Sequence, residues 1–287
     1  MATNEIENSL YERVCSFENL YKGFLKARKH KRYNQGVLRF EYNLEKELFR
    51  LKQSLEDLTY QPHPQKEFTI YGDSKKTFSA PAFSDRVIKQ ALLNVLAPIF
   101  ENGFIFDSYA FRRKKGTHSA LERFDEFKRR VSPRRFPNSG FIYKADVKDF
   151  YPSIKHPILL SLIKKRIQDQ RITWLIEKFL SIQTKNKGIP VGSPLSQLFA
   201  NSYLNELDYF VKHSLKEKLY LRYADDFVVL SRKLKPLQET KQKIETFLTQ
   251  VLDLELNPDK TRIVSTNKGA DLLGYKIFYF YRLIRKR

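Results

Sequence analysis

Leu221-Arg222-Tyr223-Ala224-Asp225-Asp226-Phe227-Val228-Val229-Leu230 is the stretch on which the fold of this chain turns. Two short β-type runs flank a tight acidic pair, which predicts a β-hairpin with two adjacent carboxylates at its tip. Carboxylates crowded in this way repel, so the arrangement calls for a compensating cation or a structural reason. Mg²⁺ is the natural cation, being hard and suited to carboxylate oxygens together with substrate phosphates. Taken alone, Tyr223-Ala224-Asp225-Asp226 is a weak signal, and its neighbours decide the case.

About eighty residues upstream, Phe141-Ile142-Tyr143-Lys144-Ala145-Asp146-Val147 reads as a strand ending near an acid. Such an acid can simply cap the following turn. If this strand and the hairpin share a sheet, however, Asp146, Asp225 and Asp226 converge. Three carboxylates can hold two Mg²⁺ about 3.5–4 Å apart, the clamp used for in-line phosphoryl or nucleotidyl transfer. Between them lies Gly188-Ile189-Pro190-Val191-Gly192-Ser193-Pro194-Leu195-Ser196-Gln197. Ser193 as N-cap and Pro194 at the first helical position open a helix whose inner face carries Leu195, Leu198, Phe199, Tyr203 and Leu207.

The 287 residues can bury a sizeable core in one large or two modest domains. Lys and Arg number 53 against 32 Asp and Glu, a formal charge of +21, which attracts polyanions, and 23 Phe with 16 Tyr offer stacking surfaces for bases. Cys15 is the lone cysteine, which excludes an intramolecular disulfide and Cys-rich zinc sites and fits a reducing compartment. No run approaches the ~20 apolar residues of a membrane span, and a signal-peptide pattern is missing, so a soluble cytoplasmic protein is expected. Helices are predicted over 5–32, over 42–58 and over Asp85–Phe100 with Ser84 as N-cap, and two strands over 67–71 and 77–80 joined through Gly72-Asp73-Ser74. The basic run Lys22 to Arg32 is either an RNA contact or a solvated helix face.

In order and spacing these segments resemble the reverse-transcriptase family, over roughly residues 65–280. Ser108 to Ala120, with Arg112, Arg113, Lys114 and Lys115, looks like its template-touching fingers motif. Leu256-Asn257-Pro258-Asp259-Lys260-Thr261 looks like the motif that places a lysine near pyrophosphate, and Leu272-Leu273-Gly274-Tyr275 like the primer-grip turn. The resemblance implies an α+β, right-hand polymerase architecture with fingers and palm, a helical N-terminal extension and a truncated thumb. Its divisions would be 1–60 (basic extension), 61–140 (fingers), 141–265 (palm, with fingers elements within 155–190) and 266–287 (primer grip and thumb stub). It implies catalysis by Asp146, Asp225 and Asp226 on two Mg²⁺, with Val147 as a further ligand through its carbonyl. Lys75, Lys76, Asp149, Phe150, Tyr151, Val191, Gly192 and Lys260 would contact the deoxynucleotide. Tyr151 would be a steric gate against the ribose 2′-hydroxyl or else a core aromatic, and Lys260 a general acid or a surface lysine. Gln197, Tyr223, Leu273 and Gly274 would join the basic fingers residues in holding template and primer.

Two departures narrow the resemblance. Most relatives have Gln where this chain has Val191, and Pro where it has Gln197. Val191 to Gln197 instead looks like the enzymes of diversity-generating retroelements, which copy an RNA with errors opposite adenine for mutagenic retrohoming and work with an oligomeric accessory variability protein. Retron or group II intron-like enzymes, and a catalytically silent RNA-binding scaffold, are the alternatives. With only thirteen residues after Gly274, low processivity is expected of the chain by itself.

Overall fold

Serine and asparagine side chains open the first helices. Ser9 Oγ accepts from the Glu12 N–H at 3.2 Å and Ser9 N donates to Glu12 Oε2 at 3.1 Å, a capping box at the head of α1 (Leu10–Cys15). Ser16 ends that helix and caps α2 (Phe17–Arg28) by accepting from Asn19 N. The single helix expected over 5–32 is thus two. Asn34 caps α3 (Gln35–Tyr42), which has no counterpart in the sequence expectation, and α4 (Leu44–Glu56) follows.

The structure, a computed structural model, describes residues 9–64, 66–70, 76–133, 139–182 and 186–285, with backbone alone across 66–70 and 76–80. The Gly72-Asp73-Ser74 turn and Lys75 lie outside the described residues. Strands β1 (Lys66–Ile70) and β2 (Lys76–Ala80) pair antiparallel. The next helix, α5 (Phe83–Glu101), begins earlier than expected: Ala82 is its N-cap, and Ser84 Oγ stands 3.4 Å from His63 Nδ1 instead of capping. Then come α6 (Thr117–Val131), β3 (Phe141–Asp146), α7 (Phe150–Ser153), α8 (His156–Lys164), α9 (Gln170–Leu180) and α10 (Pro194–Tyr209). They are followed by β4 (Tyr220–Tyr223), β5 (Asp226–Ser231), α11 (Leu234–Leu252), β6 (Arg262–Ser265), β7 (Ala270–Leu272), β8 (Tyr275–Ile277) and β9 (Arg282–Ile284). No described helix is long and apolar enough to cross a membrane.

The chain divides into two compact units, Met1–Asn102 with Leu159–Leu198, and Gly103–Ile158 with Phe199–Arg287. In the first, α2 runs along α5 so closely that a Cβ on Gly23 would stand 2.7 Å from the Val87 carbonyl oxygen. Tyr11 ties three helices together there, its N–H donating to Asp169 at the head of α9 and its hydroxyl to the Leu55 carbonyl of α4.

The second unit is built on an antiparallel sheet in the order β4-β5-β3-β6. Strand alternation sends Ile142, Leu221, Val228 and Leu230 into a core with Phe124, Phe127 and Val131 of α6 and with Leu272 and Ile277 of the β7–β8 hairpin. The other face presents Tyr143 and Phe227, whose ring centroids lie 6.0 Å apart, beneath α11. With both faces covered, the open end of β3 is where polar chemistry can be placed.

Candidate active site

β3 ends at Asp146, and register pairs that residue with Asp226, the first residue of β5. Tyr223 pairs with Asp226 across the hairpin, so Ala224 and Asp225 form its two-residue turn. Ala224 has φ of 55°, the left-handed region, which costs an L-residue roughly 1–2 kcal/mol. The Val147 N–H donates to the Asp225 carbonyl at 3.3 Å and fixes this turn against the end of β3. All three acids therefore meet at one end of the sheet, as their expected convergence requires.

Two lysines answer them. Lys144 shares a strand face with Asp146, two residues apart, and its Nζ is 3.4 Å from Asp226 Oδ1. Lys260 arrives through a segment that lies beside the chain leaving β3: Lys148 N donates to Glu255 O, and Asn257 N to Asp146 O, both at 2.8 Å. Asn257 Oδ1 then accepts from Asp259 N, an Asx turn that swings Lys260 Nζ to 3.0 and 3.2 Å from the two Asp146 oxygens. That contact raises the Lys260 pKa.

Burial raises the pKa of both Asp225 and Asp226, and the charge of Asp146 adds to each. Lys144 opposes the shift at Asp226, and Lys260 opposes it at Asp225. Among the described residues no group of three or more His, Cys, Asp or Glu side chains is gathered closely enough to hold a metal ion. The carboxylates are neighbours without being a closed cage, and lysine ammonium groups supply the positive charge. Asp226 Oδ1 is nonetheless buried with no close hydrogen-bond partner, its nearest cation being Lys144 Nζ at 3.4 Å. An orphaned carboxylate oxygen among three hard oxygen-donor side chains fits a hard divalent cation.

Asp149, at φ of 43°, opens the one-turn helix α7, and Phe150 is buried with its ring 6.5 Å from that of Tyr203. The Tyr151 hydroxyl is pushed up to about 12, first by burial and then by the charge of Asp225. Tyr223 OH is 3.2 Å from Thr117 Oγ1. Leu273 and Gly274, at φ of 51° and 84°, form the two-residue turn between β7 and β8. Arg112 and Lys115, expected on template, also hold their own loop together. Arg112 Nη1 donates to the Ile105 and Ser108 carbonyls, and Lys115 Nζ donates to the Phe106 carbonyl while lying over the Phe106 and Tyr109 rings. Arg113 and Lys114 stay exposed. Val191 is 71% exposed, Gly192 has φ of 87°, and Gln197 N donates to the Ser193 carbonyl; all three belong to the first unit, as does Lys76 at the start of β2.

Sequence reasoning passed over Arg222, which is fully buried. Its Nε and Nη2 grip Asp208 of α10 at 2.7 and 2.6 Å, Nη2 also reaches Ser108 Oγ at 3.2 Å, and Nη1 donates to Asn201 Oδ1 at 3.0 Å and to the Ala224 carbonyl at 2.9 Å. A signal was present: Arg222 alternates with Tyr220 on the inward face of β4, and a charge there needs a partner, which Asp208 provides from a largely apolar helix.

The reverse transcriptase (RNA-dependent DNA polymerase) family model matches residues 65–277. Group II intron-encoded protein LtrA of Lactococcus lactis subsp. cremoris is 28% identical over 81% of this chain and 50% of its own length. Protein YkfC of Escherichia coli (strain K12) is 27% identical over 79% of this chain and 68% of its own. This chain thus spans about half the length of LtrA. Among solved structures, apo telomerase from Candida tropicalis truncated from its C-terminal domain superposes with a TM-score of 0.61 at 14% identity, covering 81% of this chain and 59% of that one, which is a likeness of fold. With the family match running through the Asp146 strand, the acidic hairpin and the Lys260 turn, the chain belongs to the reverse transcriptase (RNA-dependent DNA polymerase) family.

Proposed function

We propose that this protein is an RNA-directed DNA polymerase that extends a primer with deoxynucleotides on an RNA template, using two Mg²⁺. The observation that carries the reading is the register pairing of Asp146 with Asp226, with Asp225 on the adjoining turn and Lys260 on Asp146. Residues 61–140 are assigned to fingers, 141–265 to palm with fingers elements within 155–190, 266–287 to the primer grip, and 1–60 to a basic extension.

Asp146 and Asp225 are the principal cation ligands in this reading, assisted by Asp226 and the Val147 carbonyl. Mg²⁺ bound there would lower the pKa of the primer 3′-hydroxyl and neutralise the leaving pyrophosphate. Lys260, 56% exposed on its present perch, can swing from Asp146 and give the pyrophosphate a proton. Tyr151, near Asp225, would occupy the space a ribose 2′-hydroxyl needs. Exposed Arg113 and Lys114 would meet template phosphates.

The finer assignment is to the adenine-mutagenic enzyme of a diversity-generating retroelement, working with an oligomeric accessory variability protein. It is supported by Val191 and Gln197 in the segment Val191-Gly192-Ser193-Pro194-Leu195-Ser196-Gln197. A glutamine at position 191 could hydrogen-bond around the nascent pair, and valine cannot. Losing such a contact lowers discrimination by about 1–3 kcal/mol, roughly ten- to a hundredfold. The similarity to LtrA favours a group II intron-type enzyme as the second reading.

Primer extension on RNA with Mg²⁺, wild type beside Asp225→Asn, tests the activity. Signal lost only in the variant supports the polymerase; no signal in either, with the accessory protein supplied, favours an RNA-binding scaffold. Sequencing the cDNA tests the subtype. Errors confined to template adenines and reduced by Val191→Gln support the retroelement enzyme, and uniform fidelity supports the intron type.

A further inference from the structure

Arg222 has five N–H donors, and the structure gives each an acceptor: two on Asp208, one each on Ser108, Asn201 and the Ala224 carbonyl. Its backbone is engaged as well, with Arg222 N donating to the Asp107 carbonyl and Arg222 O accepting from Tyr109 N. Asn201 continues the chain of contacts, its Nδ2 donating to the Ala110 carbonyl at 2.9 Å. Tyr220 OH completes the set on Asp208 Oδ1 at 2.7 Å. A fully satisfied buried ion pair of this kind is weak evidence for stability, because well-packed apolar side chains of similar volume often serve the fold equally well. What an apolar side chain cannot do is hold a backbone carbonyl.

That carbonyl belongs to Ala224, the left-handed residue immediately before Asp225. The turn is gripped from two sides: Val147 N holds the Asp225 carbonyl, and Arg222 Nη1 holds the Ala224 carbonyl. Together the two bonds fix the peptide that aims the Asp225 side chain. The same guanidinium reaches Ser108 directly and Ala110 through Asn201, in the segment 107–110 that leads into the loop bearing exposed Arg113 and Lys114.

We propose that Arg222 is a positioning residue for nucleotidyl transfer: through Ala224 it sets the place of Asp225, and through Ser108 and Asn201 it ties that turn to the 107–110 segment. This rests on the polymerase reading above. Arg222 touches neither substrate nor reacting atoms, so its removal should lower kcat and leave substrate binding alone.

The test uses two variants of the full chain. The double variant Arg222→Met/Asp208→Leu replaces the ion pair with apolar side chains, and Arg222→Lys keeps a charge for Asp208 without a second arm for Ala224. Each is measured for melting temperature, for template–primer Kd by fluorescence anisotropy, and for kcat and KM in single-nucleotide extension at a temperature well below its melt. The expected result is a folded protein with Kd and nucleotide KM within threefold of wild type and kcat lower by about ten- to a hundredfold, the scale on which small misplacements of a catalytic group act. Wild-type kcat in either folded variant overturns the proposal. So does a loss that appears only in KM, or full recovery of kcat by Arg222→Lys, which would assign the effect to the ion pair. Should the double variant fail to fold, Arg222→Lys alone decides the question. If wild type itself extends no primer, the polymerase reading fails, and that outcome is separate from failure of the Arg222 role.

Discussion

Asp225 and Asp226 cost stability when they ionise, because burial and the nearby Asp146 charge raise both native pKa values. An acid shifted upward binds its proton more tightly in the folded state, so its penalty is absent below the ordinary carboxylate range, about pH 4, and complete once pH exceeds the raised native value. In EDTA the protein should therefore lose stability as pH climbs through that window. Asp226→Asn should melt higher than wild type at pH 7, the gap closing toward pH 4, while primer extension is lost. Thermal melts at several pH values with and without Mg²⁺ check this, and a variant less stable than wild type at pH 7 would contradict it. Tyr143 offers a second case: its buried hydroxyl has no hydrogen-bond partner. Tyr143→Phe should leave unfolding free energy within about 0.5 kcal/mol or raise it by up to about 1 kcal/mol, read from urea denaturation. Tyr151→Ala should raise ribonucleotide incorporation at least tenfold over wild type, while Tyr151→Phe keeps discrimination, since the ring and not the hydroxyl would fill the space. The three acids were legible because two strands ending in carboxylates have few ways to lie together. Arg222 and Lys144 were not, since their meaning depends on which side chains the register sets opposite them.

At the scale of elements, helix α2 shows how a small residue is dictated by a neighbour. Alanine normally stabilises a helix interior relative to glycine, by about 1 kcal/mol. At Gly23 the added methyl would meet the Val87 carbonyl at 2.7 Å, against backbone that moves only with α5. Gly23→Ala should thus destabilise, by about 1–3 kcal/mol in denaturant titration. Strand β3 and the arms of the acidic hairpin were readable from their apolar runs, and the turns from Ala224-Asp225 and Leu273-Gly274, whereas β6 and β9 were not expected. Helix limits were less so. Ser16 reads as one polar position in a long amphipathic pattern, and only its cap on Asn19 reveals the break. Ser84 looked like a cap by residue type, but the chain turns into α5 earlier and leaves that hydroxyl to face His63.

Across the whole molecule, the formal charge of +21 implies a binding partner that neutralises it. Template–primer affinity should fall by more than about tenfold between 50 and 200 mM salt, with a log–log slope that counts the phosphates engaged. A flat salt profile would remove the charge from the account of binding. The sheet that carries the acids draws on residues 141–146, 220–231 and 262–265, and its β6 edge is added beside β3 only after α11. Lys260 reaches Asp146 only through the stretch that follows α11. During translation, a nascent polypeptide stopped anywhere before that stretch would own the first acid, or even all three, without the ammonium that pairs with Asp146. Ribosome-stalled intermediates that stop short of Lys260 should therefore be inert in primer extension.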